Sequence, residues 1–332
     1  AGPGMDEARR ARLTDWLRAE TGDAALVIER MALLSGGAIQ QNWALDASGG
    51  RSWVLRTDNA ATLAVSHGRA QEYALLRAAF AAAVSVPEPL FLCEDAAVTG
   101  APFFVMRRVA GTAAAHRVVR SDTLGGGREA CVRALGRELA RIHAIAPPRV
   151  DLAFLGTPPD DPCRAFVAGQ RAALDRQRTP RPVLEWGLRH LERSAPPPVP
   201  AVLVHNDFRT GNIMLDERGV TAVLDWEFAC WSDPHADLGW FCAKCWRFGN
   251  DAQEAGGIGP RAALYEGYGT VEDSRVRWWE LAAHIRWASI AVDQAERHIS
   301  GVERNLELAL TGHMVPGLEW EILRMVEARD AA

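Results

Sequence analysis

Residues 202–228 read VLVHNDFRTGNIMLDERGVTAVLDWEF, and this stretch decides the fold. Its short apolar runs are typical of strands, and a polar loop at residues 205–212 separates the first run from the second. The pattern predicts a strand, a loop, a second strand, a turn and a third strand. Together these strands would deliver three polar side chains to one rim, namely Asp207, Asn212 and Asp225.

These three side chains suit phosphoryl transfer. Asp207 can accept or orient a hydroxyl proton, while the amide oxygen of Asn212 and the carboxylate of Asp225 can hold the Mg²⁺ that neutralises a triphosphate. A lone Asp-x-x-x-x-Asn pattern carries little information, and a solvated hairpin with polar turns is the alternative interpretation. The complete set, in order and bracketed by predicted strands, favours a catalytic loop.

The arrangement His-x-Asp-x-x-x-x-Asn, followed by Asp-x-Glu after a strand, resembles the catalytic segment of the aminoglycoside phosphotransferase and choline kinase family. The matching residues are His205, Asp207, Asn212, Asp225 and Glu227. The resemblance implies an α+β, two-lobed protein-kinase-like fold. A small antiparallel-sheet lobe and a mostly helical lobe would hold ATP between them.

The resemblance covers nearly the whole chain and implies its division into lobes. Residues 1–4 look like a cloning remnant ahead of the first methionine. Residues 5–109 would form the N-terminal lobe, with the hinge at its end. Residues 110–332 would form the C-terminal lobe, with the catalytic loop, the metal site and a helical acceptor pocket.

Upstream motifs imply the nucleotide site. Gly36 and Gly37 stand where the family has its nucleotide loop, in which backbone amides approach phosphates, although turn chemistry alone would also explain them. Arg56 ends a predicted strand at the place of the family's phosphate-binding basic residue, which is commonly a lysine. The chain's only lysine, Lys244, lies far downstream. Glu72, on a predicted helix, would pair with Arg56 and orient it.

Two further segments complete the implied site. The predicted strand at residues 103–107 resembles the strand and hinge between the lobes, so backbone groups near Met106 and Val109 would face the adenine. Arg209 follows Asp207 closely and could stabilise the transferred charge or pair with a neighbouring carboxylate. The implied catalytic residues are therefore Asp207 and Arg209.

Composition limits the other function classes. The 332 residues carry a net charge of −5 and a pI near 6.0, so no basic surface points to nucleic acid. No apolar run reaches membrane-spanning length. Six cysteines in a chain of this size indicate reduced thiols, and we expect a cytoplasmic protein without a membrane partner.

The expected reaction is transfer of the γ-phosphoryl group of ATP or GTP to a hydroxyl of a small molecule. The acceptor could be an aminoglycoside, a hydroxyacyl thioester, an amino alcohol or another metabolite. The loop HNDFRTGN is closer to the phosphotransferase branch associated with acyl-CoA dehydrogenases than to resistance enzymes. The C-terminal segment also lacks the dense acidic cluster that a polycationic drug would require. The sequence leaves the oligomeric state open.

Two other functions stay open at this point. A nucleotide-binding protein without turnover would explain an arginine in place of the usual lysine, although the intact catalytic set argues against it. A protein kinase is disfavoured because the chain lacks Asp-Phe-Gly.

Three secondary expectations concern the segment after the catalytic loop. We expect Asp233 and Asp237 to cap and anchor a helix, and His235 to lie at the surface. The glycine-rich residues 256–260 would form a loop that could move over the site.

Overall fold

The N-terminal lobe is built on one antiparallel sheet in the computed structural model, which describes residues 6–36, 40–58 and 67–330. The elements of this lobe are α1 (Glu7–Thr21), β1 (Ile28–Gly36), β2 (Gln40–Ala47), β3 (Arg51–Asp58), α2 (Arg69–Ala81), β4 (Pro89–Cys93), α3 (Ala96–Thr99) and β5 (Phe103–Arg107). The five strands lie in the order β1-β2-β3-β5-β4, which places β3 at the centre.

The central strand β3 is buried on both faces because successive side chains point to opposite sides of the sheet. Trp53 and Leu55 join the core that includes α1, whereas Val54 joins the core that includes Leu75 of α2. The same alternation turns Arg56 toward α2. Burial of both faces therefore fixes the direction of the predicted phosphate-binding side chain.

The C-terminal lobe consists of helices around two small antiparallel sheets. Its helices are α4 (Ala115–Val118), α5 (Arg128–His143), α6 (Pro162–Arg176), α7 (Pro182–Arg193), α8 (His235–Cys242), α9 (Arg261–Tyr268), α10 (Asp273–Ile299), α11 (Leu306–Gly312) and α12 (Val315–Asp330). Its strands are β6 (Val202–Val204), β7 (Ile213–Leu215), β8 (Val220–Val223) and β9 (Cys230–Ser232). Strand β6 pairs with β9, and β7 pairs with β8. The predicted two-lobed α+β fold is confirmed.

Helix α10 organises the C-terminal lobe. It has 27 residues and packs against α7, α8, α11 and α12. Its approach to α8 requires a glycine, since a Cβ at Gly239 would lie 2.4 Å from the Cβ of Trp279. The close contact brings Trp240, the next residue of α8, to the catalytic loop. Neither α10 nor any other helix of the described ranges is long and apolar enough to cross a membrane.

Backbone hydrogen bonds connect the segment after the hinge, and the start of α2 in the N-terminal lobe, to the body of the C-terminal lobe. Thr112 and Leu215 exchange two of them, with N···O distances of 2.8 and 3.0 Å. The N–H of His67, just before α2, donates to the carbonyl of Glu227 at 3.0 Å. These contacts tie both the exit of the hinge and the start of α2 to the segment that carries the catalytic residues.

Candidate active site

The predicted catalytic loop, residues 205–212, is anchored by hydrogen bonds to Asp237 on α8. One carboxylate oxygen accepts the N–H of His205 at 2.7 Å, and the other accepts the N–H of Asn206 at 2.8 Å. His143 of α5 contacts the same carboxylate at 3.0 Å. Burial opposes the charge, but the hydrogen bond from His143 and the loop amides lower the pKa of Asp237. The sequence predicts that Asp237 caps and anchors a helix; it lies in the first turn of α8, and its carboxylate also holds the predicted catalytic loop.

The side chain of His205 supports the loop from within. It is fully buried, its Nε2 lies 2.9 Å from the carbonyl oxygen of Leu224, and its Nδ1 accepts the N–H of Asp207 at 3.2 Å. These contacts fit the tautomer with its proton on Nε2. His205 therefore links the start of the loop to the end of β8.

Asn206 adopts a left-handed conformation, with φ of +64°. This conformation is strained for a residue with a side chain, so it persists only where the surroundings hold it. Its side-chain amide donates to the carbonyl of Phe228 at 3.0 Å, and Arg286 of α10 donates to its carbonyl and side-chain oxygens at 2.7 and 2.8 Å. Helix α10 thus fixes the residue that precedes Asp207.

The carboxylate of Asp207 is held by three donors. Its Oδ1 accepts from Trp240 Nε1 at 3.1 Å and from Arg209 Nε at 3.2 Å, and its Oδ2 accepts from Asn212 Nδ2 at 2.6 Å. Arg209 also lies over the ring of Trp246, with 4.8 Å to its centroid. Both predicted catalytic residues therefore meet, and Arg209 pairs with a neighbouring carboxylate.

The two predicted metal ligands lie on adjacent backbone segments. The N–H of Leu224, which precedes Asp225, donates to the carbonyl of Asn212 at 2.8 Å. Because Nδ2 of Asn212 is used by Asp207, its Oδ1 remains as the ligand atom. Asp225 has φ of +61° and a side chain that is 37% exposed. The strained backbone presents its carboxylate to the cleft.

Arg56 bridges Asp225, a predicted metal ligand, and Glu72 of helix α2. Its Nε contacts Glu72 at 3.0 Å, and its Nη1 contacts Asp225 at 2.9 Å. Burial opposes the charge of Arg56, but the two carboxylates raise the pKa of its guanidinium. Its Nη2 is buried and has no hydrogen-bond partner among the described residues. Arg56 lines the cleft, beside the carboxylate of Asp225.

A cavity of about 370 Å³ lies between the lobes and contains most of the predicted nucleotide-binding residues. Its lining includes Arg56, Glu72, Met106, Val109, Asp225 and Trp226. Gly36 ends β1, and Gly37 lies outside the described residues. The structure thus brings the predicted hinge, the predicted phosphate-binding arginine and the predicted metal ligand Asp225 to one cleft.

Sequence reasoning missed Arg69, which joins several carboxylates next to the cleft. Its Nε lies 3.0 Å from Asp58, its Nη1 contacts Glu72, and its Nη2 lies 3.9 Å from Glu227. Burial raises the pKa of Glu227 to about 7. The spacing of Arg69 and Glu72, three positions apart on one helix, was a usable signal.

Two expectations about the following segment are wrong. Residues 256–259 are buried beneath the catalytic loop, where Thr210 donates to the carbonyl of Gly256 at 2.6 Å, so they do not form a lid. His235 is mostly covered, with its side chain 13% exposed, because it contacts Asp233 at 2.9 Å. Both segments support the site from inside the lobe.

A family model for the phosphotransferase enzyme family, APH, matches residues 30–279, which include every predicted site residue. The chain belongs to this family.

This phosphotransferase-family chain is similar in sequence or in fold to several known proteins. Mouse acyl-CoA dehydrogenase family member 10 is 31% identical over 199 residues, an alignment that covers 58% of the chain but only 18% of that relative. A Ralstonia eutropha JMP134 protein proposed to be an aminoglycoside phosphotransferase has a TM-score of 0.73 at 21% identity, over 96% of this chain and 98% of that one. The aminoglycoside phosphotransferase APH(4)-Ia, solved with AMP-PNP and hygromycin B, has a TM-score of 0.60 at 18% identity, over 95% and 97% of the two chains. The two structural likenesses show a shared fold.

Proposed function

We propose that this phosphotransferase moves the γ-phosphoryl group of ATP or GTP to a hydroxyl of a small molecule. One observation carries the proposal: the carboxylate of Asp207, held by three donors, lies beside Asn212 and near a cleft that contains Asp225 and Arg56. A solved neighbour that binds AMP-PNP supports an adenine nucleotide as donor. ATP and GTP are compared directly in the experiment below.

The residues of the cleft fit a magnesium ion held largely by substrate oxygens. Mg²⁺ commonly binds through one or two protein oxygens together with phosphates and water. Asn212 Oδ1 and the carboxylate of Asp225 would supply the protein oxygens. When bound, the ion neutralises charge on the triphosphate.

We assign the steps of the proposed transfer to individual residues. Arg56, oriented by Glu72, lines the cleft and would bind phosphate oxygens there. The acceptor oxygen forms a bond to the γ-phosphorus while the bond to the β–γ bridging oxygen breaks, and the nucleoside diphosphate leaves. The acceptor hydroxyl proton passes to Asp207 and then to solvent. Since little covalent chemistry falls to the protein, positioning supplies most of the acceleration.

Calorimetry with Mg·ATP and Mg·GTP tests the proposal. Wild-type protein should bind at least one nucleotide in a magnesium-dependent manner, and Asp225→Asn should lose that dependence. Asp251→Asn, an exposed aspartate outside the cleft, serves as the matched control. Failure of folded wild-type protein to bind either nucleotide would contradict the proposed function. Binding without turnover on a broad panel of hydroxylated acceptors would instead indicate a silent nucleotide-binding protein.

A further inference from the structure

A second cavity of about 280 Å³ lies on the other side of the catalytic loop, between α6, β9, α8 and α10. Its lining includes Phe166, Gln170, Ser232, Trp240, Trp279 and Arg286. No aspartate or glutamate of the described residues lines it, and Arg286 is its one charged lining residue. The cavity contains Asn206 and Trp240, which contact Asp207 through the chain and through a hydrogen bond respectively. A ligand in this cavity therefore lies next to the proposed base.

Arg286 is a cation without an anionic partner. Its Nη1 donates to both oxygens of Asn206, and its guanidinium lies 4.4 Å from the ring centroid of Trp240. Among the described residues no carboxylate comes within 4.0 Å of its nitrogens. The nearby carboxylates of Asp207 and Asp237 are bound to other donors. Arg286 thus lines the cavity without a paired carboxylate among the described residues.

Such an arrangement is unfavourable unless a ligand completes it. A cation that leaves water needs an anion or several hydrogen bonds in exchange. Burial lowers the pKa of the Arg286 guanidinium, although Asp207 and Asp237 oppose the effect. Gln170 lines the same cavity, and its Oε1 is buried without a hydrogen-bond partner among the described residues. One cation and one acceptor atom, both incompletely bonded, thus share a cavity whose other walls are largely aromatic and aliphatic.

We propose that this cavity binds the phosphoryl acceptor and that Arg286 recognises an anionic group on it, most simply a carboxylate. The inference rests on the proposed function and specifies its substrate class as a small hydroxylated anion with an apolar body. The planar guanidinium matches a carboxylate, and the rings of Trp240 and Trp279 would cover the apolar part. Gln170 Oε1 would accept a hydrogen bond from the ligand or from a bridging water.

The same features argue against a polycationic acceptor. A polyamine or aminoglycoside requires carboxylates around it, whereas this lining is acid-free and carries a fixed positive charge. The cavity volume also lies just below the ~300–1,000 Å³ of pockets that hold drug-sized ligands, so it suits a smaller molecule. The charge and the volume of the cavity therefore both favour a small anionic acceptor over an aminoglycoside.

Steady-state kinetics with matched acceptors test the proposal. Short hydroxycarboxylates, the diols and the amino alcohols of the same chain length would be offered to the protein with Mg²⁺ and nucleotide. We expect kcat/KM at least about tenfold higher for a hydroxycarboxylate than for its matched diol, the ratio that one charge-assisted hydrogen bond gives. Amino alcohols should be the poorest. Equal rates for all three classes, a preference for amino alcohols, or no reaction with any hydroxycarboxylate would overturn the assignment.

Variants separate recognition from support of the loop. Arg286→Gln should bring the ratio of hydroxycarboxylate to diol close to one, whereas loss of loop support alone would lower both rates and leave the ratio unchanged. Ser232→Asp, which keeps Arg286 and adds a carboxylate to the lining, should also reduce the ratio. Trp240→Phe is the matched control, because it removes a hydrogen bond to Asp207 and no charge, so the ratio should remain.

The proposed function can fail independently of this inference. Absence of nucleotide binding in calorimetry would contradict the phosphotransferase proposal, while a shift in melting temperature with hydroxycarboxylates would still report the anion site. Nucleotide binding together with phosphorylation of amino alcohols would contradict only the inference. A ratio unchanged by both Arg286→Gln and Ser232→Asp would likewise overturn it.

Discussion

Two arginines line different cavities beside the predicted catalytic loop. One is paired with carboxylates and the other is not. Arg56, at the nucleotide cleft, contacts Glu72 and Asp225 within 3.0 Å. Arg286, at the second cavity, contacts only the oxygens of Asn206 and the face of Trp240. The arginine at the proposed nucleotide side is thus paired with carboxylates, whereas the arginine at the proposed acceptor side is not, as our proposal of an anionic acceptor requires.

The largest effect should come from Asp207→Asn, which sharpens the comparison by removing the chemistry between the two cavities. We expect kcat to fall by about 10²–10⁴-fold, the usual contribution of a general base. Nucleotide affinity should stay within about twofold of wild type, since Asp207 does not line the cleft. Turnover assays and calorimetry on the same preparation measure both. A fall in nucleotide affinity that parallels the fall in kcat would contradict this division of roles.

A direct comparison of the arginines should give the next largest effect. Arg56→Met removes one of the two arginines that pair with buried Glu72 and should lower the free energy of unfolding by about 1.5–3 kcal/mol. Arg286→Met leaves no carboxylate behind and should cost only about 1 kcal/mol, for its lost hydrogen bonds. Urea denaturation measures both values. Glu88→Gln, in an exposed pair with Arg107, is the control and should change stability by less than about 1 kcal/mol. Equal costs for the two methionine variants would remove the contrast between the arginines.

Asp237→Asn should destabilise the predicted catalytic loop, which lies between the two cavities. We expect a loss of about 1–3 kcal/mol, because an amide cannot accept both loop N–H groups and the contact from His143. The folded-state pKa of Asp237 is lowered, so its contribution is present above the unfolded-state pKa and is lost as the pH falls through the folded-state value. The difference in free energy of unfolding between wild type and Asp237→Asn should therefore be largest at neutral pH and shrink at acidic pH. Denaturation curves of both proteins at the two pH values measure it. A difference independent of pH would indicate that the charge of Asp237 is unimportant.

Trp240→Phe should produce the smallest effect. It removes one hydrogen bond to Asp207 Oδ1 and keeps the aromatic face under Arg286, so kcat should fall by about three- to tenfold, equivalent to about 1 kcal/mol. The loss should be the same for every acceptor. Parallel kinetics with the matched acceptors measure it. A change in the ratio of hydroxycarboxylate to diol would show that the Trp240 indole takes part in recognising the anionic group.

Much of the donor side could be predicted because its residues lie in local patterns. Asp207, Asn212 and Asp225 follow strands that the apolar runs reveal, and Arg56 and Glu72 have fixed places before the hinge. The structure brings these five together. Their roles in catalysis and metal binding stay predictions until the variants are measured.

The acceptor side could not be predicted in the same way. Arg286 contacts Asn206 across 80 positions of sequence, and Trp240 contacts Asp207 across 33. No local pattern distinguishes these residues from the other arginines and tryptophans of the C-terminal helices. The prediction of a lid at residues 256–260 failed for a related reason, since glycines that permit a mobile loop also permit tight burial.

The family, the two-lobed fold and the order of the donor-side motifs follow from the sequence, because strand periodicity and short spacing are local properties of the chain. The charge of the second cavity depends instead on how α6, α8 and α10 pack, and the contact at Gly239 determines where Trp240 lies. Whether a buried cation has a partner is set by distances between elements remote in sequence. Only the tertiary structure decides that Arg56 is paired and that Arg286 is not.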